Sequence, residues 1–328
     1  MQADEAACTG QSGHPPPAPA RSARLPKAGD ANEDPAGAFA ARWDTMNAAV
    51  FSARFDAATP VFGVLSDRRV HTNRSPELFT RVMARVGLRG ACVPFQVAPG
   101  DLGAAVESLR VLNLAGASVT APYKEKVLAH LDVLSEGANI IGAVNTIVRQ
   151  DRILKGYNTN AIGIMETLDA QGFDPCGRKA LVFGTGAAAR ASVFILTWKR
   201  AAEVVVAGRD PAAARRLVDA IGGMAAGFDD LTEAAAQADI LINATNVSCP
   251  EDGPDLAGRI ETLSLDSCQL VMDLNWDRPA NFWHAAAGRH GCPFVDGRST
   301  LAFQARRTFF LWTGIDVPAA EFGSAQQT

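Results

Sequence analysis

The sequence predicts an α/β fold in two domains, and three observations carry that prediction. Short apolar runs of strand character alternate with segments of helical periodicity from Val61 onward. One such run, Lys179–Phe183, is followed at once by a glycine turn and a helix. The chain has 328 residues, enough for two domains of roughly 100–200 residues each.

Residues 1–36 are rich in Ala, Pro and Gly, with Pro15, Pro16, Pro17 and Pro19 close together. Such a segment buries too little apolar surface to offset its ordering entropy and is expected to be a disordered extension. Asp4 and Glu5 near the start, and the lack of an apolar core after Arg21, Arg24 and Lys27, argue against a signal peptide. Phe39, Trp43, Met46, Val50 and Phe51 recur at three- to four-residue spacing, which predicts an amphipathic helix over 39–55 docking on the folded body.

Val61–Leu65 reads as a strand, and Pro76–Val86 as a helix with Pro in its first turn and Ser75 as its cap. Cys92–Val97 is a strand, Leu102–Leu112 a helix, and Ala117–Thr120 a strand leading into a helix that carries Lys124. Val144–Val148 and Ile153–Leu154 resemble a strand pair. A helix over Ile162–Leu168 crosses to a second series: strand Lys179–Phe183, helix Ala187–Trp198, strand Glu203–Ala207 and helix Pro211–Ile221. Strands Ile240–Asn243 and Leu270–Asp273 follow, and a helix over Ser299–Trp312 is expected to return to the first domain. The boundaries are thus 37–160 for the first domain, 161–297 for a Rossmann-type doubly wound parallel-sheet domain, and 298–328 for the returning helix.

A net charge of −4 with both signs mixed argues against nucleic acid or an anionic membrane as main partner. A small anionic ligand remains compatible, since one local cation can hold it. No apolar stretch approaches the roughly 20 residues a membrane span needs. The six cysteines form no CxxC pair and read as thiols of a reducing compartment, so a cytoplasmic location is expected. The five histidines give no metal-ligand spacing, and no metal is expected.

Strand, glycine turn and helix over 179–190 are the context that a dinucleotide fingerprint requires. Gly184 permits the tight turn, Gly186 lets backbone N–H groups approach a pyrophosphate, and the helix N-terminus favours the anion. Thr185, Ala187 and Ala188 belong to the same cradle. The third glycine is replaced by Ala189, still small enough for close helix–strand packing. At the end of the next strand no acid stands at Ala207 or Gly208 to hold a ribose diol, and Arg209 can pair with a 2′-phosphate. Asp210 beside it either repels that phosphate or caps the helix starting at Pro211. The cofactor reading is NADP(H), with NAD(H) as alternative.

Upstream, Lys124 ends the run Ser118-Val119-Thr120-Ala121-Pro122-Tyr123-Lys124, and Gly156-Tyr157-Asn158-Thr159-Asn160 follows. A lysine beside a dinucleotide is the equipment for moving an alcohol proton while hydride goes to a nicotinamide. A solvated lysine in a first helical turn is the bland alternative.

From Val61 to Gly314 the chain resembles the shikimate dehydrogenase family, including the quinate/shikimate dehydrogenases. The 118–124 run is similar to N-V-T-x-P-x-K, Gly142-Ala143-Val144-Asn145-Thr146 to G-A-V-N-T, and 156–160 to G-x-N-T-D. Ile242-Asn243-Ala244-Thr245 is similar to I-N-A-T, and Phe303-Gln304-Ala305 with Trp312-Thr313-Gly314 to the closing Q-A…W-T-G. The resemblance implies a two-domain enzyme that reversibly oxidises a ring alcohol of a cyclic hydroxy acid with NADP or NAD. It places Lys124 as the catalytic lysine, with Asn160 at its partner position. Thr120, Asn145 and Gln304 then bind substrate hydroxyls, and Asn73 and Ser75 stand in an S-x-S-P carboxylate clamp. It also sets Asn243, Ala244, Thr245 and Gly297 beside the cofactor.

Three residues depart from that pattern. Asn160 replaces an aspartate, keeping a hydrogen-bonding carbonyl but losing the charge that would raise the lysine pKa. Asn73 replaces a serine, with Arg74 beside it either joining the carboxylate contact or lying on the surface. Trp276 stands at a tyrosine position, as a site residue or as core packing. The expected ligand is therefore a related ring acid, quinate-like, amino-substituted or otherwise modified, bound by a monomer or homodimer. The alternative is an impaired nucleotide- and ligand-binding sensor of the same fold.

Overall fold

A computed structural model describes residues 56–227 and 230–323 of the chain. The helix expected over 39–55 and the extension before it lie outside the described residues.

The first lobe begins with β1 (Val61–Ser66), an apolar run buried from Phe62 onward. Helix α1 (Ser75–Arg85) buries Pro76, Leu78, Phe79, Val82 and Met83, the three- to four-residue stripe its sequence carries. Then come β2 (Ala91–Gln96), α2 (Leu102–Val111), β3 (Gly116–Val119), β4 (Val133–Leu134), α3 (Glu136–Ile141), β5 (Thr146–Gln150) and β6 (Ile153–Tyr157). These strands lie in the order β2-β1-β3-β5-β6-β4. β1 runs parallel to β2 and β3, whereas β5 is antiparallel to β3 and β6.

Helix α4 (Thr159–Ala170) leads to the second lobe. Its elements are β7 (Lys179–Phe183), α5 (Ala187–Trp198), β8 (Glu203–Ala207), α6 (Pro211–Ile221), β9 (Met224–Ala226), α7 (Leu231–Gln237), β10 (Ile240–Asn243), α8 (Pro254–Glu261), β11 (Leu270–Asp273), α9 (Phe282–Arg289) and β12 (Phe294–Val295). The strand order is β12-β11-β10-β7-β8-β9, parallel throughout. That is the doubly wound order, whose direction reverses between β7 and β10. Phe183 is paired with Asn243 there, so the glycine turn after β7 lies against the loop after β10. Both faces of this sheet are covered by apolar clusters, as a buried parallel sheet requires.

Helix α10 (Gly297–Thr313) returns to the first lobe, followed by the short α11 (Ala320–Gly323). Ala302, Ala305 and Phe309 join the core over β1. Trp312 stacks on Phe62 at 4.6 Å between ring centroids and donates its Nε1–H to Ile147 O at 3.0 Å. Helices α4 and α10 cross closely because position 163 is glycine: a Cβ there would stand 2.5 Å from Thr300 O. This crossing sets where Asn160 and Gln304 meet.

Two local expectations need correction. Ser75 is not the cap of α1 but its first residue; the residue before it, Arg74, makes no side-chain cap bond. Asn73 does that work instead, its Oδ1 accepting from Ser75 N at 2.8 Å. Lys124 is not on a helix either. It sits in a turn after Pro122, ahead of a 3-10 turn over Lys126–His130.

Gly163→Val should force the two helices apart. The expected cost is about 1–3 kcal/mol, the usual range for overpacking, read by urea unfolding; an unchanged midpoint would show the crossing to be tolerant.

Candidate functional site

The lysine turn is held by its neighbour. Tyr123 is fully buried and donates its hydroxyl to Val97 O at 2.6 Å. Tyr123 N bonds Thr120 O at 3.0 Å and Val144 N bonds the Lys124 carbonyl at 2.7 Å. With the aromatic side chain anchored in the core, the next side chain is thrown to the opposite side. Lys124 thus lines a cavity of about 250 Å³ with Asn73, Ser75, Thr120, Asn145, Asn160 and Gln304. Every residue expected at the catalytic and substrate positions is therefore in one place.

The two asparagine motifs interlock. Asn158 caps α4, its Oδ1 accepting from Ala161 N at 3.2 Å while its Nδ2 donates to Ala143 O at 2.9 Å. The next backbone N–H, that of Thr159, donates to Asn145 Oδ1 at 2.7 Å. A backbone N–H can only donate, so the Asn145 carbonyl oxygen must face it. The Asn145 NH₂ then points the other way, 2.8 Å from Asn160 Oδ1 and 3.1 Å from Gln304 Oε1. It also lies 2.9 Å from the Thr159 hydroxyl, which has its own partners at Thr146 and Thr308, 3.2 and 2.9 Å away.

Two expectations change here. Asn145 is 3% exposed and its amide is committed within the protein, so it orients its neighbours more than it offers bonds to a ligand. Asn160 does not present the carbonyl that would stand in for the missing carboxylate. That oxygen is taken by Asn145.

No aspartate or glutamate lines the cavity among the described residues, and Lys124 is its one charged group. Burial without a carboxylate partner lowers the Lys124 pKa from 10.5 to about 8. Unfolded, the same amine holds its proton up to about 10.5, so the ammonium destabilises the fold at lower pH. Stability therefore rises between about pH 8 and 10.5 as the native amine stands neutral and the unfolded one charged.

Trp276 is half-buried and walls the cavity, so core packing is not its role. Exposed Arg74 lies over its ring, 5.8 Å from the centroid. The tryptophan loop is tied down by buried Asp273, which accepts from Asn243 Nδ2 at 2.8 Å, Asn275 N at 3.0 Å and Asn281 Nδ2 at 2.6 Å. Sequence reasoning missed Asp273 as an organiser, and missed Ser118, Thr300 and Leu301 as cavity wall.

A second cavity of about 420 Å³ lies at the carboxyl ends of β7, β8 and β10, lined by Gly184, Thr185, Gly186, Arg209, Ala244 and Thr245 among others. Gly184 has φ +114°, and a Cβ there would strike Ala244 O at 2.8 Å. A Cβ on Gly186 would meet no protein atom within 4 Å, so glycine there leaves room for whatever fills the cavity. Asp210 caps α6, its Oδ1 accepting from Ala212 N at 2.9 Å, and pairs with Arg216 at 3.5 Å. Arg209 is exposed on the cavity wall.

Asn243, expected beside the cofactor, is fully buried. Its Oδ1 accepts from Thr245 N and Oγ1 at 3.1 and 2.7 Å, and so it shapes the loop rather than facing the cavity. Ala187 opens α5 without lining the nucleotide cavity, and Ala188 and Gly297 line the lysine cavity instead. A larger depression of about 660 Å³ on the flank of Trp276 contains neither the lysine nor the glycine turn. The described residues hold no cluster of metal ligands and no helix long and apolar enough to cross a membrane.

A doubly wound sheet with a glycine turn, next to a lobe whose cleft presents a partly desolvated lysine, defines a nicotinamide-nucleotide-dependent oxidoreductase. Residues 66–147 match the family model for the shikimate dehydrogenase substrate binding domain, and 168–273 that for shikimate / quinate 5-dehydrogenase. A shikimate dehydrogenase (NADP(+)) of Moorella thermoacetica is 36% identical over 267 residues, 76% of this chain and 87% of that protein. The shikimate 5-dehydrogenase of Thermus thermophilus, solved in complex with NADP(H) and shikimate, superposes with TM-score 0.72 at 31% identity over 81% of this chain and 98% of that one. Shikimate dehydrogenase of Aquifex aeolicus gives TM-score 0.76 at 25% identity over 84% and 100%. The chain belongs to the shikimate dehydrogenase family.

Side-chain NMR of isotopically labelled lysine, with the Lys124 signal assigned by its loss in Lys124→Met, should show titration near 8. A midpoint near the ordinary 10.5 would contradict the desolvated site.

Proposed function

We propose that this chain is an NADP-dependent dehydrogenase acting reversibly on a ring hydroxyl of a shikimate- or quinate-like cyclic hydroxy acid. The observation that carries the reading is the Lys124 amine, in the wall of the cavity that also holds Asn160 and Gln304 and lowered to about 8 by burial. When bound, NADP supplies the hydride acceptor. The chain's own part is the proton. A neutral Lys124 amine takes it from the hydroxyl during oxidation, and the ammonium returns it to the ketone oxygen during reduction. A pKa near the working pH suits both directions, because either form is available at modest cost.

Asn73 and Ser75 hold the ring carboxylate. The Asn73 carbonyl is already engaged with Ser75 N, so its NH₂ is left to donate to the acid. Thr120 holds a ring hydroxyl: its own proton goes to Ser66 Oγ at 2.6 Å, so its lone pairs can accept. In the second cavity the Gly184–Gly186 turn, which leads into the N-terminus of α5, receives the pyrophosphate. Arg209 takes the 2′-phosphate, and Asp210 does not oppose it because the helix N-terminus and Arg216 already compensate its charge.

Lys124→Met should lower kcat by about 10²–10⁴-fold, the range for a lost general acid/base, measured with shikimate and quinate by absorbance of reduced nicotinamide. In the oxidation direction the unmodified protein's rate should rise through about pH 8 as the amine form appears. Turnover intact in Lys124→Met would remove the proton role. Tight NADP binding with no turnover of any ring acid would favour the sensor, the reading that the uncharged Asn160 otherwise supports.

Arg209→Ala should raise KM for NADP about tenfold or more and leave KM for NAD nearly unchanged, consistent with the roughly 1.5–3 kcal/mol of a charge-assisted bond. Equal effects on both nucleotides would take the 2′-phosphate away from Arg209.

A further inference from the structure

The hydrogen-bond polarity of the lysine cavity is fixed from outside it, and that polarity bears on the ligand. The Thr159 backbone N–H orients Asn145, and Asn145 Nδ2 then faces three oxygens, Asn160 Oδ1 at 2.8 Å, the Thr159 hydroxyl at 2.9 Å and Gln304 Oε1 at 3.1 Å. Were Asn160 turned round, two NH₂ groups would face each other at 2.8 Å, the shortest contact that the Asn145 NH₂ makes, in a part-buried place. Asn160 and Gln304 both turn their carbonyls toward Asn145, which directs their NH₂ groups to a ligand in the cavity they line. Asn73 offers an NH₂ for the same reason, its carbonyl being held by Ser75 N.

Lys124 is a donor too when charged. On the β3 side the Thr120 hydroxyl gives its proton to Ser66 and the Ser118 hydroxyl gives its own to the Asn145 backbone carbonyl at 3.3 Å, which leaves their lone pairs to accept. No carboxylate lines the cavity among the described residues. An aspartate at position 160 would have bonded Asn145 with one oxygen and kept the other for a ligand proton. Asparagine reverses that second contact, from accepting to donating.

Building on the reading above, we propose that position 160 selects the substrate by polarity: the ring substituent facing Asn160 is a hydrogen-bond acceptor, an oxo oxygen or a hydroxyl that accepts, and not an ammonium. This narrows the modified ring acids that the sequence leaves open, because a protonated amino substituent would meet the Asn160 NH₂ and the Lys124 ammonium together. The cost of leaving donors unpaired in such a site is what makes polar pockets discriminate sharply between isosteres.

Three ligands of nearly equal size test this: shikimate, and two analogues in which one ring hydroxyl next to the reacting carbon is replaced by an oxo or an ammonium group. Affinities are measured by calorimetry without nucleotide, so that no turnover intrudes. The unmodified protein should bind the oxo compound at least as tightly as shikimate and about tenfold or more tighter than the ammonium compound. Asn160→Asp should invert the order, and Asn160→Ala should flatten it. Binding of all three with the same order in the unmodified protein and Asn160→Asp would overturn this proposal and leave the ring-acid reading standing. Failure of every ligand to bind either form would overturn both.

Discussion

The hydrogen bond from the Thr159 backbone N–H to Asn145 Oδ1, 2.7 Å long, orders the site because its direction admits no choice. Side-chain amides can turn over, hydroxyls can rotate, and a lysine can gain or lose its proton. A backbone N–H in the first turn of a helix can do none of these. Asn145, buried between β3 and α4, passes that fixed direction on to Asn160 and Gln304. Buried amides left unpaired cost roughly 1–3 kcal/mol each, so the arrangement is held by what its failure would leave unsatisfied.

The fold exists around this point. Gly163 brings α10 onto α4 closely enough for Gln304 to reach Asn145. Thr146, Thr159 and Thr308 form a buried hydroxyl triangle beneath, with separations of 2.9–3.2 Å. Tyr123 anchors the turn from which Lys124 joins the cavity wall. The result is a cavity in which the charged group has no counter-ion among the described residues. A single physical cause, desolvation, brings its pKa into the range where proton transfer either way is accessible. The loss of an aspartate thus alters both the charge and the direction of hydrogen bonding at the same position.

Much of the fold was legible in the residues. β7, α5, β8, α6, β10 and β11 fall at the bounds that the sequence suggests, because each is an unbroken apolar run or stripe flanked by Gly, Pro or Asp. β4, α3, β9, α7, α8, α9 and β12 escape such reading: they have two to eight residues, too few for a period to stand out. The glycine turn and the lysine motif identify both cavities. What cannot be read from residues alone is orientation. The carbonyl of Asn160 looks available in a sequence, and only the neighbouring backbone N–H shows that it is taken. Asn243 looks like a cofactor residue by its motif, yet its burial turns it into the brace of its own loop. The alternation of strands and helices puts Lys124 on a helix, whereas the chain spends those residues on a turn anchored by Tyr123.

The most direct test is a neutron crystal structure of the deuterated protein with a ring acid bound, since it shows which atom of each amide carries hydrogen. Deuterons of Asn145 Nδ2 should be directed at Asn160 Oδ1 and Gln304 Oε1, with the Asn160 ND₂ group turned to a ligand oxygen. Deuterons found between Asn160 and Asn145 but belonging to Asn160, with its carbonyl facing the ligand, would contradict that arrangement.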